Sequence, residues 1–173
     1  MFVTIRRPAY PLNRYIEQLV YYTDYYPAYT AVYMLPEGKV ELLIPLDNGA
    51  RTFYTGSGFT QAVTVRKAIV CGMQQKPVYT RADHGATMVA VKFTSGGSFP
   101  FVQQPVVEVN NLFVDAEQVF GRSILFLREQ LAELAEPEAI LRRLEQYLFD
   151  CFDPLDGEQK MIDFTLRRLM NWR

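Results

Sequence analysis

Few residues in this 173-residue chain are of the types that carry out catalysis or bind metals. His84 is the single histidine, and it lies between Asp83 and Gly85 in a segment typical of a turn. A metal site needs further ligands beside this histidine, a catalytic site needs a nucleophile beside it, and the sequence contains no GxSxG segment. Cys71 and Cys151 fall in no CxxC or zinc-type spacing. The sequence therefore predicts no catalytic residue, no metal site, no cofactor and no enzymatic activity.

Glu41 is the charged residue whose surroundings most suggest binding. It lies in the apolar segment 40–46 (VELLIPL), where burying an unpaired carboxylate would be costly. Inside a small barrel, Glu41 could accept hydrogen bonds from a polar ligand. Alternatively, it faces solvent through strand alternation or pairs with an arginine such as Arg66. Both interpretations stay open at the level of the sequence.

Any ligand site is predicted in the strand-rich first part of the chain. We expect Glu41 and Gln74 to supply polar contacts and Tyr33 or Tyr54 to form an apolar wall, because the mouths of β-barrels commonly hold ligands. The tyrosine-rich segment 21–29 (YYTDYYPAY) either lines such a pocket or forms the core of a small sheet. The segment suits either role, since tyrosine combines an apolar body with a polar tip.

The composition excludes several classes of partner. With 18 basic and 19 acidic residues, the net charge of −1 creates no strong field for nucleic acid or for a membrane surface. No apolar run approaches the roughly 20 residues that cross a bilayer, and the N-terminal residues lack the apolar stretch of a signal peptide. Two widely separated cysteines suit a reducing compartment. We therefore expect a cytoplasmic protein that binds neither DNA nor membranes through these residues.

The elements that must position these residues begin with a small antiparallel β-structure. Short segments rich in aromatic and β-branched residues are separated by turn residues such as Asn48-Gly49. Their spacing favours an antiparallel barrel or sandwich over βαβ units. The predicted strands are 29–34, 39–46, 50–56, 62–72, 77–83 and 87–93. A short helix is predicted before them from the helical spacing of Leu12, Tyr15, Ile16 and Leu19.

The segment 89–101 (VAVKFTSGGSFPF) marks the end of the predicted sheet. Gly96-Gly97 lacks the Lys and the Ser or Thr that follow the glycines of a phosphate-binding P-loop, and nearby prolines argue against another strand directly after it. The glycine pair is therefore predicted to turn the chain out of the sheet, with Phe99 and Phe101 anchoring its exit.

From Asp115 onward the apolar period becomes helical. Two helices are predicted from the stripes Phe120, Ile124, Leu127, Leu131, Leu134 and Leu141, Leu144, Leu148, Cys151. The second begins near Pro137, and a third runs from near Gly157 to the last residue. The predicted fold class is α+β. Residues 1–104 form the β region with its short N-terminal helix, 105–155 form a helical hairpin packed on it, and 156–173 form a terminal helix.

Each helix of the predicted hairpin has a second apolar face. These faces hold Val119 and Phe126 on the first helix and Ile140 and Tyr147 on the second. One face must pack on the β region, and the other remains as an apolar surface patch, which usually marks an interface. We therefore predict a homodimer that uses these residues. The alternative is that both faces are buried within one chain.

Three short motifs occur in an order that resembles one known family. They are Leu35-Pro36-x-Gly38-x-x-Glu41-Leu42, Gly72-x-Gln74, and Val91-Lys92-Phe93 with Gly97 and aromatic residues after it. Over roughly residues 8–152, the chain resembles the cupin-like N-terminal domain of a subgroup of AraC-type transcription regulators, in which that domain has no assigned function. The resemblance implies a small cupin-like β-barrel followed by helices and then by two helix-turn-helix modules. Those modules would follow Arg173, and residues 156–173 would connect to them.

The resemblance implies an N-terminal ligand-sensing or dimerisation domain of a bacterial transcription regulator, without its DNA-binding part. The partners would be a small-molecule effector, a second copy of the chain, and DNA only through a C-terminal domain that this chain lacks. The metal-binding histidines of enzymatic cupins are absent from the sequence. Two alternatives remain: a metal-independent barrel enzyme acting on a sugar-like small molecule, and a free-standing interaction protein.

Overall fold

The structure is a computed structural model that describes residues 2–26, 28–29, 31–81, 85–101, 109–153 and 165. The strands are β1 Phe2–Arg6, β2 Ile16–Tyr25, β3 Ala31–Met34, β4 Glu41–Pro45, β5 Arg51–Thr55, β6 Gln61–Val65, β7 Ile69–Cys71, β8 Val78–Arg81, β9 Ala86–Phe93 and β10 Phe113–Asp115. The helices are α1 Ala116–Phe120, α2 Ser123–Glu133 and α3 Pro137–Asp150. The α+β prediction is confirmed. The terminal helix and both predicted boundaries, at 104/105 and 155/156, involve residues outside the described ones and stay predictions.

The strands form two antiparallel sheets. In the large sheet the order is β1-β2-β9-β4-β7-β10, and in the small sheet it is β3-β8-β5-β6. Across the described residues both sheets have open edges, so they do not close into a barrel. Of the two predicted architectures, the structure is the sandwich. The order places β4 at the middle of the large sheet, where Glu41 lies opposite Lys92 of β9 and Cys71 of β7.

Side-chain alternation along β4 divides the protein into three layers. Leu42 and Ile44 are fully buried in the same cluster as the apolar residues of α2 and α3. Leu43 belongs to a second cluster with Phe53 and Val78 of the small sheet. The large sheet therefore packs its helices on one face and the small sheet on the other. Each buried Leu or Ile contributes about 1.5–3 kcal/mol to this packing.

The helical layer follows the predicted stripes with one interruption. Ile124, Leu127 and Leu131 of α2 are buried, but Gly121 ends α1 with a positive φ of 67°. A glycine tolerates this left-handed conformation, so the predicted first helix is broken into α1 and α2. Leu134 lies just beyond the end of α2 and is exposed. Among the described residues, no helix is long and apolar enough to span a membrane.

The segment predicted as a short N-terminal helix is instead a 3₁₀ turn, Leu12–Arg14, followed by β2. Ile16 and Leu19 are both fully buried, although a regular strand would place them on opposite faces. The pairing of β2 with β9 shifts its register between Ile16 and Gln18. Because such an irregularity adds a residue to one strand, it brings residues three apart onto the same face and imitates helical spacing.

The predicted single strand 62–72 was also wrong. The structure divides it into β6, in the small sheet, and β7, in the large sheet. Arg66 and Lys67, both exposed, lie between the two strands. The chain thus crosses from the small sheet to the large sheet at two consecutive basic residues.

The predicted turn at Gly96-Gly97 is present. Gly97 donates its amide to the carbonyl oxygen of Thr94 at 2.8 Å, and a Cβ on Gly97 would collide with the carbonyl of Tyr15. Beyond the turn, Phe101 is buried, with its ring centroid 5.4 Å from that of Phe93. Phe99 packs against the same core. The pair therefore directs the chain out of the sheet, and the two aromatics hold its exit, as predicted.

Candidate ligand-binding cavities

A cavity of about 370 Å³, called here the inter-sheet cavity, lies between the two sheets and opens to solvent. Its size lies within the usual range of small-molecule sites. It is lined by Val3, Val20, Tyr22, Tyr25, Val32, Met34, Glu41, Leu43, Arg51, Phe53, Thr80, Arg81, Ala86, Met88, Ala90 and Lys92. Ala86 and Ala90 of β9 are small residues on this wall, and larger side chains there would fill space that the cavity now leaves. Most of the wall is apolar, because the strands turn alternate side chains toward it.

An ion pair lies at one side of this cavity. The Nζ atom of Lys92 is 3.6 Å from Oε1 of Glu41, and the Glu41 side chain is 18% exposed. Burial raises the pKa of Glu41 above its ordinary value; the charge of Lys92 opposes this, and that of Glu37 adds to it. Glu41 thus has a cation beside it, yet its ionised form carries a cost of burial.

A second cavity, of about 330 Å³, adjoins the first and is called here the polar cavity. It is lined by Tyr33, Met34, Leu35, Glu37, Lys39, Glu41, Cys71, Gly72, Gln74 and Lys92. Met34, Glu41 and Lys92 line both cavities. Gln74 is held by its Nε2, which donates to the carbonyl oxygen of Gly72 at 3.0 Å.

The structure brings three of the four predicted ligand contacts together. Glu41, Gln74 and Tyr33 all line the polar cavity. Tyr54 lines neither cavity; its ring lies 5.3 Å from that of Tyr79, which in turn lies 5.5 Å from Tyr33. Whether any of the four contacts a ligand stays a prediction.

The sequence did not identify the partner of Glu41. Arg66 is exposed between β6 and β7, and the ion pair is with Lys92 instead. Lys92 could have been noticed, because it is the one charge inside the apolar strand VAVKF, as Glu41 is inside VELLIPL. The inter-sheet cavity itself could not be found in this way, since it depends on how the two sheets meet.

The tyrosine-rich segment serves both of the roles left open for it. Tyr22 and Tyr25 line the inter-sheet cavity, whereas Tyr21 is buried on the opposite face of β2. The hydroxyl groups of Tyr25 and Tyr29 are hydrogen-bonded. Burial, and then this hydrogen bond, raise the pKa of Tyr25 to about 12. Tyr25 is therefore a neutral hydroxyl at the cavity wall.

The turn after β4, called here the Asp47 turn, connects the cavity to the helices. Asp47 accepts hydrogen bonds from Arg51 Nη2 at 2.6 Å, the Thr87 amide at 2.8 Å and the Gly49 amide at 2.7 Å. Burial alone would raise the pKa of Asp47, but the two amides and Arg51 together lower it. The carboxylate is therefore held in its ionised form.

Arg128 of α2 binds the backbone of the same turn. Its Nε donates to the carbonyl oxygen of Pro45 and its Nη2 to that of Asp47, both at 2.8 Å. Arg51, which lines the inter-sheet cavity, bonds to the carboxylate of Asp47, and Arg128 bonds to its backbone carbonyl oxygen, so Asp47 connects the cavity wall to the helical layer.

Groups suited to metal binding or nucleophilic chemistry are scarce in the described part of the chain. There, no three His, Cys, Asp or Glu side chains are placed to hold a metal ion, and His84 lies outside it. The prediction of no metal site remains a prediction. Cys71 is buried, and desolvation followed by the charge of Glu41 raises its pKa to about 12. The Cys71 thiol is therefore not an activated nucleophile.

The residues predicted for a dimer interface are placed differently from one another. Ile140 and Tyr147 of α3 are buried within the chain's own core. Val119 of α1 is partly buried against that core. Phe126 of α2 is 61% exposed. The apolar face of α3 that holds Ile140 and Tyr147 therefore packs within the chain. Of the four residues, only Phe126 has a largely exposed side chain.

Residues 4–115 match the family described as Domain of unknown function (DUF6597). The match begins within β1 and ends at the last residue of β10, so it covers the two sheets except the first two residues of β1, and not the helical pair. No curated protein matches the chain significantly.

Proposed function

Because the chain belongs to the DUF6597 family, whose function is unknown, we propose a role from its own cavities. The domain binds a small, largely apolar molecule between its two sheets, and it is the N-terminal ligand-sensing domain of an AraC-type transcription regulator in the bacterial cytoplasm. The inter-sheet cavity is the observation that carries this proposal.

The composition of that cavity supports ligand binding rather than simple packing. Two stacked sheets normally interdigitate their side chains, whereas here a cavity of about 370 Å³ remains between them, with the small residues Ala86 and Ala90 on its wall. Glu41 is held beside this apolar space at a cost of desolvation, with Lys92 3.6 Å away. An apolar cavity with a few polar groups at one side is the usual form of a small-molecule site.

The motifs that resemble AraC-type regulators support the second half of the proposal. They are far apart in the sequence, yet Leu35, Glu41, Gly72, Gln74 and Lys92, one or more from each motif, all line the polar cavity. A shared pattern concentrated around a cavity is more informative than one spread over the core, where apolar residues recur for packing alone.

A sensor also needs a connection between its ligand and its output. The Asp47 turn supplies one, since Arg51 lines the inter-sheet cavity and Arg128 ties the same turn to α2. A ligand that displaces Arg51 changes the hydrogen bonds of Asp47 and, through them, the position of α2 on the large sheet. Dimerisation through the exposed Phe126 of α2 would transmit a shift of this helix to the second copy.

The binding half of the proposal is tested with N-phenyl-1-naphthylamine, whose fluorescence rises in apolar surroundings. We expect saturable binding that Ala90→Phe weakens by about tenfold or more, because the new ring occupies the cavity. Ala62→Phe, on the exposed face of β6, is the matched control and should bind like wild type. If Ala90→Phe unfolds the chain, Ala86→Leu replaces it. Absent binding, or equal binding by wild type and cavity variants, contradicts the proposal.

The regulator half is tested by reading the gene beyond the codon for Arg173. We expect a coding sequence for two helix-turn-helix modules. A stop codon directly after Arg173 would contradict it.

A further inference from the structure

The inter-sheet cavity and the polar cavity differ in character and share a border. The first is walled mainly by apolar side chains such as Val20, Leu43 and Met88. The second combines charged and amide groups with apolar residues such as Leu35. Met34, Glu41 and Lys92 line both cavities. A ligand too large for one cavity therefore extends into the other past the Glu41–Lys92 pair. One molecule occupying both cavities must itself have an apolar part and a polar part.

The charges around the polar cavity indicate what kind of polar part fits. Its two cations, Lys39 and Lys92, have carboxylate partners: Lys39 bonds to Glu17 at 2.6 Å, and Lys92 lies 3.6 Å from Glu41. Glu37 adds a further carboxylate to the wall. The charge of Glu37 already acts on Lys39. A ligand carrying a full charge would therefore meet groups of both signs that already interact with one another, and it would lose its own hydration without a dedicated counter-ion.

Hydrogen-bonding capacity, in contrast, is available. The Gln74 amide is fixed through its Nε2 and also carries an acceptor oxygen. Tyr33 has a hydroxyl group on the same wall, and the Glu41 carboxylate accepts hydrogen bonds from hydroxyl or amide groups. These groups suit an uncharged head that both donates and accepts.

We propose that the ligand is an uncharged amphiphile that spans the two cavities. Its alkyl, acyl or aryl body lies between the sheets, and its hydroxyl- or amide-bearing head lies in the polar cavity against Glu41 and Gln74. This rests on the proposed function, since it names the ligand class of the same site.

The test uses probes with one eight-carbon chain and different heads. Octyl β-D-glucoside has an uncharged polyhydroxyl head, octanoate an anionic one and octyltrimethylammonium a cationic one; 1-octanol has almost none. Each displaces N-phenyl-1-naphthylamine from the protein below its micelle concentration. We expect octyl glucoside to bind about tenfold more tightly than the two charged probes. Gln74→Ala should remove most of its advantage over 1-octanol, whereas Gln118→Ala, an exposed glutamine on α1, should keep it.

The outcomes separate the two proposals. If the dye binds but octanoate or octyltrimethylammonium competes as well as the glucoside, the ligand class is wrong and the cavity proposal stands. The same holds if Gln74→Ala retains the full preference. If the dye does not bind, both proposals fall together.

Discussion

Replacing Asp47 by alanine should destabilise the fold, because its carboxylate joins Arg51 to two backbone amides. Asp47 is three-quarters buried, and its partner Arg51 is 9% exposed at the side chain. The variant leaves Arg51 without this carboxylate and removes the acceptor of the Thr87 and Gly49 amides. Breaking a buried ion pair costs about 3–5 kcal/mol, and the partial exposure of Asp47 places the expected loss near the lower end. For a chain of this length, about 3 kcal/mol lowers the melting temperature by roughly 6–12 °C.

The assay is urea unfolding followed by far-ultraviolet circular dichroism, with the free energy of unfolding extrapolated to zero denaturant. Asp47→Asn retains a side-chain oxygen for one amide and loses the charge, so its loss should be intermediate. Asp150→Ala is the matched control. Asp150 is exposed at the end of α3, where a negative charge is not favoured by the helix dipole, and its removal should change stability by less than about 0.5 kcal/mol.

The pH dependence gives an independent reading of the same carboxylate. The pKa of Asp47 is lowered in the folded state from its ordinary 3.8. Its contribution to stability is therefore complete above pH 3.8 and is lost as the pH falls through the lower folded value. The gap between wild type and Asp47→Ala should narrow on acidification below pH 3.8. A loss under about 1 kcal/mol at neutral pH, or a gap that stays constant in acid, would refute the reasoning.

Three further expectations concern other groups. Glu41→Gln should become more stable relative to wild type as the pH rises above 4.5, the ordinary pKa of glutamate. Burial raises the pKa of Glu41, so ionising this group costs the folded wild type free energy; urea unfolding on both sides of pH 4.5 measures the difference. Gly97→Ala should cost about 1–3 kcal/mol in the same assay, because its Cβ meets the carbonyl of Tyr15. Ellman's reagent should modify Cys151 first and Cys71 only as the protein unfolds, since Cys71 is buried with a pKa of about 12; rapid modification of both thiols in native buffer would contradict this.

The parts of the fold predicted from the sequence are those in which local pattern and tertiary environment agree. Strands β4 and β5 lie within predicted segments, and β9 begins one residue before its predicted segment 87–93, because turn residues bound these strands and apolar residues fill them. The stripes of α2 and α3 were predicted because their buried residues recur at helical spacing. Strand β2 was missed because its register shift places Ile16 and Leu19 on one face, and no local propensity reveals such an irregularity. The division of 62–72 depends on which sheet each half joins, which is decided by distant strands.

The candidate site shows the same limit. Glu41 and Gln74 could be selected from sequence, since each is a polar group in or beside an apolar strand. Their neighbour Tyr33 could be selected as an amphipathic wall residue, but Tyr54 could not be told from it, because both are tyrosines on strands of the small sheet, β3 and β5, which β8 separates. Lys92 stands out within its strand as Glu41 does, but that the two form an ion pair follows only from the pairing of β4 with β9. The inter-sheet cavity depends on the distance between the two sheets, which no single strand encodes.

The alternation along β4 has a consequence for how such domains can diverge. Glu41 and Leu43 face the cavity, whereas Leu42 and Ile44 face the helices. Leu43 also packs with Phe53 and Val78, so a change at this position affects the packing between the sheets but not the helical core. Under the proposed function, a substitution at Glu41 changes which ligand the inter-sheet cavity accepts, whereas one at Leu42 or Ile44 changes how the large sheet packs on the helices. The two properties can therefore change independently, one residue at a time, along a single strand.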